Sequence, residues 1–192
     1  MFAIPGQTLS MWEADLREAV RIDPKHLSTY CLTYEENTAL FPKLLQGRPS
    51  DMSEIEETAC YELTRNFLGE AGYGQYEITS FSRNGFTCLH NKNNWRMGEW
   101  IGLGPSATSQ YDGRRFSNIP SLAEWCSGIK REQPNRVDQV ELTPEVLATD
   151  SLIFGLRMNS GVVACAAHCR LPSVDLTPLW PLCGELGIQG LV

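Results

Sequence analysis

The stretch Cys88-Leu89-His90-Asn91-Lys92-Asn93-Asn94-Trp95-Arg96 holds the densest mixture of polar and aromatic side chains in this 192-residue chain. A histidine can ligate a metal or a haem iron, and a tryptophan supplies a flat apolar wall. The same residues also suit a histidine bonded to backbone near a turn, with Trp95 packed in a core. Gly102-x-Gly104-x-x-Ala107-x-Ser109 lies just downstream. Small residues there let a backbone approach a ligand, or relax an edge or bulged strand. The third glycine and the βαβ context of a dinucleotide fingerprint are missing.

Three further constellations are weaker. Pro5-Gly6-Gln7-Thr8 follows a short apolar run and precedes a helical pattern. Loops at the carboxyl ends of parallel strands are where α/β barrels place their sites, but a plain turn has the same composition. Glu77 in Tyr76-Glu77 could move a proton, satisfy backbone donors or pair with an arginine. Cys165-Ala166-Ala167-His168-Cys169 invites a zinc reading. A structural zinc site needs four ligands and no partner pair has proper spacing, so a helix face of small residues is favoured.

The elements that must position these groups follow from periodicity. Phe2-Ala3-Ile4 reads as the end of a buried strand. Thr8 or Ser10 caps a helix to about Arg21, with Leu9, Trp12, Leu16, Ala19 and Val20 on one face. His26 to Thr33 reads as a second strand, completing a βαβ unit with parallel strands. A helix capped by Ser50 or Asp51 is expected over Met52 to Glu70, its stripe Ile55, Ala59, Leu63 and Phe67. Tyr76 to Phe81 alternates like one strand, and Asp112-Gly113 is a hairpin turn. Ser121 to Lys130 reads as helical and Arg131 to Gln139 as a polar loop. Thr143-Pro144-Glu145 starts a helix to about Met158. Two more helices are expected near Val163–Arg170 and Leu176–Leu186.

Composition bounds the function. A net charge of −7, with 16 Lys and Arg against 23 Asp and Glu, argues against a nucleic-acid partner. No apolar run approaches membrane-spanning length, and the N-terminus lacks signal-peptide features. A cytoplasmic location is the default expectation. Seven scattered cysteines, an odd number, read as reduced thiols rather than a disulfide framework.

Taken in order, five blocks resemble one family. They are Ala3-Ile4-Pro5-Gly6-Gln7-Thr8, Leu27-Ser28-Thr29-Tyr30-Cys31-Leu32-Thr33, Gly74-Gln75-Tyr76-Glu77-Ile78-Thr79-Ser80-Phe81, Cys88-Leu89-His90-Asn91 and Gly102-Leu103-Gly104-Pro105-Ser106-Ala107-Thr108-Ser109. The family is that of radical S-adenosylmethionine (radical SAM) proteins. Within it the blocks are similar to the oxygen-independent coproporphyrinogen III oxidase-like group and its HemW, or haem chaperone, subgroup. Leu142-Thr143-Pro144-Glu145 through Gly161-Val162 resembles that group's helical C-terminal domain.

The resemblance implies an α/β chain. Residues 1–117 would be the C-terminal portion of a partial (β/α) barrel with added strands, and 118–192 a small, mainly helical, winged-helix-like domain. It implies a [4Fe–4S] cluster and S-adenosyl-L-methionine in the intact family member, with haem as a further ligand. Cys31 and Thr108 fall where the family approaches S-adenosylmethionine. His90, Asn91 and Trp95 match its His-Asn-x-x-Tyr-Trp haem motif, with Asn94 in place of the tyrosine. Ala3 replaces a common glycine, and Thr79-Ser80 a common Ser-Asn pair.

The family's Cys-x3-Cys-x2-Cys loop has no counterpart here, so no metal ligand is expected in this chain. On that resemblance the chain is expected to be a partial copy, starting after the family's earlier strands, ending before the wing, and inactive alone. The implied function is a haem chaperone binding haem or porphyrin and passing it to an acceptor protein. The alternatives are an oxidative decarboxylase of coproporphyrinogen III and an inactive remnant.

Overall fold

The computed structural model describes residues 1–36, 38–42 and 52–162, in two compact units, Met1–Cys88 and Leu89–Val192. Helix α1 spans Leu9–Arg21, and the Thr8 hydroxyl caps it by accepting the Met11 N–H. Only Trp12 and Leu16 of its expected face are buried. Helix α2 spans Glu54–Glu70. Ser53, rather than Ser50 or Asp51, caps it, because Glu56 three residues on returns a bond to the Ser53 backbone in a capping box. Such a cap stabilises a helix by about 1 kcal/mol.

The buried stripe of α2 is Cys60, Thr64 and Leu68, and the expected Ile55 is 82% exposed. One contact accounts for the rotation. Trp12 Nε1–H donates to Thr64 Oγ at 2.8 Å, and the Thr64 hydroxyl donates to the Cys60 carbonyl at 2.7 Å. A polar side chain therefore sits inside, fully satisfied, where hydrophobic periodicity places it outside.

The βαβ reading holds at one point. Phe2 N–H donates to Tyr30 O and Leu32 N–H to Phe2 O, a parallel bridge between Phe2 and Cys31. The rest of that second strand goes elsewhere. β1, His26–Ser28, pairs antiparallel with β3, Ser80–Ser82, which also pairs antiparallel with β2, Gly74–Glu77. The single strand expected over Tyr76 to Phe81 is thus the two arms of a hairpin turning at Ile78-Thr79, with a bulge between Gln75 and Glu77. Among the described residues the named sheets are antiparallel, in the orders β1-β3-β2 and β4-β5-β6.

The core of this unit joins Phe2, Ala3, Trp12, Leu16, Cys60, Leu68, Tyr73 and Phe81. Ala3 has φ of 57°. An L-residue in this left-handed region costs about 1–2 kcal/mol, which is the physical reason a glycine suits that position.

The second unit begins with helix α3, Leu89–Trp95. Strands β4, Thr108–Tyr111, and β5, Arg114–Asn118, form the expected hairpin, with positive φ at Asp112 and Gly113. Helix α4 covers Leu122–Lys130, capped by Ser121. The expected polar loop over Arg131 to Gln139 instead leads into β6, Arg136–Glu141, the outer strand of this sheet. Its side chains are nearly all exposed, so no apolar alternation marks it. The domain boundary read at 117/118 falls inside β5, whereas the compact units divide after Cys88.

Helix α5, Pro144–Gly155, starts at the Thr143 cap with proline in its first turn, and ends three residues before Met158. The helices expected near 163–170 and 176–186, the Cys165-His168-Cys169 group and the winged-helix ending lie outside the described residues.

Candidate functional site

In the first unit, the Gly6-Gln7-Thr8 turn sits between the Phe2 bridge and α1. Gln7 closes it through its backbone N–H to Ile4 O at 2.8 Å, and its side-chain amide donates to Asp15 at 3.2 Å. Beside it lies a cavity of about 250 Å3 lined by these three residues and by Leu9, Met52, Glu56, Ala59 and Cys60. Cys31 is half-buried next to Phe2. Burial first, then the Glu57 charge, pushes its thiol above the usual cysteine range.

Glu77 is buried, and Thr79 Oγ donates to its carboxylate at 2.9 Å. Beside it, His26 Nε2 and Tyr76 OH lie 2.8 Å apart, and Cys88 N–H donates to the same phenol oxygen. One partner of Glu77 is therefore a neighbouring side-chain hydroxyl.

In the second unit, the residues expected to touch haem share α3. His90 is exposed, and its Nε2 lies 3.3 Å from the Asn94 amide nitrogen, one helical turn on. A neutral Nε2 accepts that N–H. The asparagine standing where the family has tyrosine therefore touches the histidine directly. Trp95 does not project outward. Its ring stacks on Phe154 of α5 with centroids 5.9 Å apart, and the Arg157 guanidinium covers it at 4.5 Å. Trp95 Nε1 and Asn94 Oδ1 are buried without a hydrogen-bond partner among the described residues. Trp95 thus follows the packing alternative and pins α3, while His90 keeps an open imidazole, bonded to a side chain rather than to backbone. Asn91 lies half-buried between them on the same helix.

The glycine block is a tight return. A Cβ on Gly102 would collide with Thr108 O, Gly102 N–H donates to Ser109 Oγ, and Asn118 donates to the Gly102 and Gly104 carbonyls. The Thr108 hydroxyl is spent on Ser117 at 2.9 Å. Close backbone approach is needed here for the fold's own contacts. Cys31 lies in the first unit, whereas Thr108, His90, Asn91 and Trp95 lie in the second.

Phe154, Arg157 and the Arg115 network were not legible as parts of the site. Arg115 donates twice to Gln110 Oε1, pairs with Asp150 at 2.8 Å and lies 5.9 Å from the Phe154 centroid. The available signal was the Phe154/Arg157 spacing, an aromatic and a cation one helical turn apart.

The residues present fit the implied groups unequally. The sequence has no Cys-x3-Cys-x2-Cys loop, and among the described residues no three His, Cys, Asp or Glu side chains converge to hold a metal. These residues do not fit an iron–sulfur cluster. The exposed imidazole of His90 does fit a single axial haem ligand.

No family model matches the chain. Among curated proteins it is 32% identical over 170 residues to radical S-adenosyl methionine domain-containing protein 1, mitochondrial, of Danio rerio, covering 84% of this chain and 38% of the relative. To the heme chaperone HemW of Synechocystis it is 34% identical over 179 residues, covering 91% and 42%. The Bos taurus counterpart of the first is 32% identical and matches 100% of this chain and 46% of its own length. Among solved structures, coproporphyrinogen III oxidase (HemN) from Escherichia coli, a radical SAM enzyme, superposes with a TM-score of 0.72 at 16% identity. That superposition covers 96% of this chain and 46% of the other, and shows a shared α/β fold. The chain spans less than half the length of these relatives. Over most of its length, then, this chain is homologous to radical SAM domain proteins and to the HemW haem chaperones.

Proposed function

We propose that the chain is part of a HemW-type haem chaperone and that His90 is its iron-binding side chain. The observation that carries this reading is an exposed imidazole on a helix whose other face is fixed. Trp95, Phe154 and Arg157 hold α3 in place, and among the described residues only the 3.3 Å contact with Asn94 competes for His90 Nε2. A neutral imidazole gives its lone pair to iron, and haem supplies the planar ring and the metal. Lys92 and Arg96 follow His90 within six residues and provide positive charge for haem carboxylates.

The finer assignments belong to the same proposal. The Phe2–Cys31 bridge is read as the last parallel contact of a partial barrel, with Cys31 and Thr108 facing S-adenosylmethionine. Residues 118–192 are read as the helical, winged-helix-like domain. The cluster and most of the S-adenosylmethionine site would come from outside these residues. No helix among the described residues is long and apolar enough to cross a membrane. A cytoplasmic location and an acceptor protein for the haem complete the proposal.

Titrating the chain with haem tests it. The expected result is a shifted Soret band of one-to-one stoichiometry that His90→Ala abolishes. A Soret shift unchanged by His90→Ala would remove His90 from the site.

A further inference from the structure

Asn94 does more than stand beside His90. Its amide nitrogen lies 3.3 Å from His90 Nε2, the ring atom proposed to bind iron. The two residues are four apart on α3, so their side chains lie one above the other on one face. The other end of the amide is turned away from the ring. Its Oδ1 is buried and has no hydrogen-bond partner among the described residues. With the oxygen inside, the end that meets the histidine is the donor. Trp95, the next residue, stacks on Phe154 and holds this turn of the helix, which keeps the amide within reach.

A donor aimed at Nε2 has two consequences. It fixes the tautomer, because Nε2 keeps its lone pair and the ring proton sits on Nδ1. It also occupies that lone pair, which is the one iron needs. A hydrogen bond and a coordination bond cannot share it.

We infer, resting on the proposed role of His90, that Asn94 is an internal competitor for the haem iron. It is a positioning residue that holds His90 in its ligating tautomer and keeps its affinity low. On binding, the Fe–Nε2 bond forms and the Asn94 N–H to Nε2 hydrogen bond breaks. The Nδ1 proton stays in place and no electrons are transferred. A loosely held porphyrin suits a protein that passes its ligand on. The bound state lacks the Asn94 bond, so the amide acts on the free protein alone. Its removal should speed association and leave dissociation unchanged. One net hydrogen bond corresponds to about 2–12-fold in an equilibrium constant, and an exposed pair at 3.3 Å falls at the low end, about 2–4-fold.

The test is Asn94→Leu, a similar branched shape without a donor. It also removes a buried oxygen that has no partner among the described residues, so the fold is kept. Nitrogen NMR of the haem-free chain at alkaline pH reads the tautomer directly, with His90→Ala assigning the signal. His90 should carry its proton on Nδ1 in the unmodified chain and shift towards Nε2 in Asn94→Leu. Haem titration and stopped-flow mixing should show binding about 2–4-fold tighter, through faster association. An unmodified ring protonated at Nε2, or a gain confined to dissociation, would overturn the inference. So would unchanged affinity in Asn94→Leu where His90→Ala abolishes the Soret shift, and that result would leave the haem site standing. A Soret shift that survives His90→Ala would instead remove His90 from the site and the competition with it.

Discussion

In Met1–Cys88, one cluster of apolar side chains from the Phe2 bridge, α1, α2 and the β1-β3-β2 sheet is buried together. In the described part of the second unit, the buried apolar side chains are Phe116, Ala148 and Met158, and the buried polar ones are Ser109, Gln110 and Asn118. Cations lie on rings in both units, Arg17 on Phe67, Lys25 near Phe86 and Arg83 on Tyr73 in the first, Arg115 near Phe154, Arg157 on Trp95 and Arg136 on Phe116 in the second, but in the second they accompany a smaller described set of buried apolar side chains. Apolar burial is non-directional and scales with area removed from water. Cation–ring contact is directional, and in the second unit it leaves the exposed face of α3 free for a ligand. The two units should therefore respond differently to the same kinds of substitution.

The largest effect belongs to the apolar cluster. Leu16 is 2% exposed at its centre. Leu16→Ala is expected to lower stability by about 2–5 kcal/mol, the usual range for a buried leucine, read from the denaturant midpoint. Ile153→Ala on α5, at a residue 56% exposed, should cost within about 0.5 kcal/mol. Equal losses at the two positions would break the comparison.

Next is the polar bolt inside the same cluster. Thr64→Val keeps the shape but removes the acceptor for Trp12 Nε1–H, leaving a buried donor unpaired. The expected cost is about 1–3 kcal/mol, with a change in Trp12 fluorescence. A neutral result would mean that the bond is not formed in solution.

The second unit is tested at Arg115. Arg115→Lys keeps the charge but loses the planar fork that holds Gln110 and Asp150 and lies near Phe154. An expected loss of about 1–2 kcal/mol should appear as faster amide exchange in α5 and β4, with α1 unaffected. Faster exchange in α1 of the same size would show that the units do not respond separately.

The contrast also explains what could be read from residues alone. Caps and turns were legible at Thr8, Thr143-Pro144 and Asp112-Gly113, because each is fixed by side chains within a few positions. The face of α2 was not, because Thr64 faces inward only for a tryptophan 52 positions away. Nor was β6, an outer strand held by backbone bonds to β5 with almost nothing buried. In the site, His90 and Trp95 were legible as residues of interest, but their roles were not. Whether Trp95 meets a ligand or the core depends on Phe154 and Arg157, which a linear pattern does not connect to it.

The smallest effect is a pH slope in the first unit. His26 sits half-buried against Tyr76, with the Glu77 carboxylate nearby, and burial lowers its pKa below the usual 6.5 despite the opposing pull of Glu77. In neutral form Nε2 accepts the Tyr76 hydroxyl, which in turn accepts Cys88 N–H. Protonation turns that acceptor into a donor. Because the folded pKa is depressed, the unfolded chain binds the proton more readily. The contribution is complete above pH 6.5 and is lost as pH falls through the folded value. His26→Gln should flatten the stability slope just below pH 6.5, measured by denaturation at stepped pH. Glu56, held low by its Ser53 hydrogen bonds, loses its contribution only as pH drops below its ordinary 4.5, so the two limbs are separable. A slope unchanged in His26→Gln would show that the His26–Tyr76 pair is not what ties this hairpin to the core.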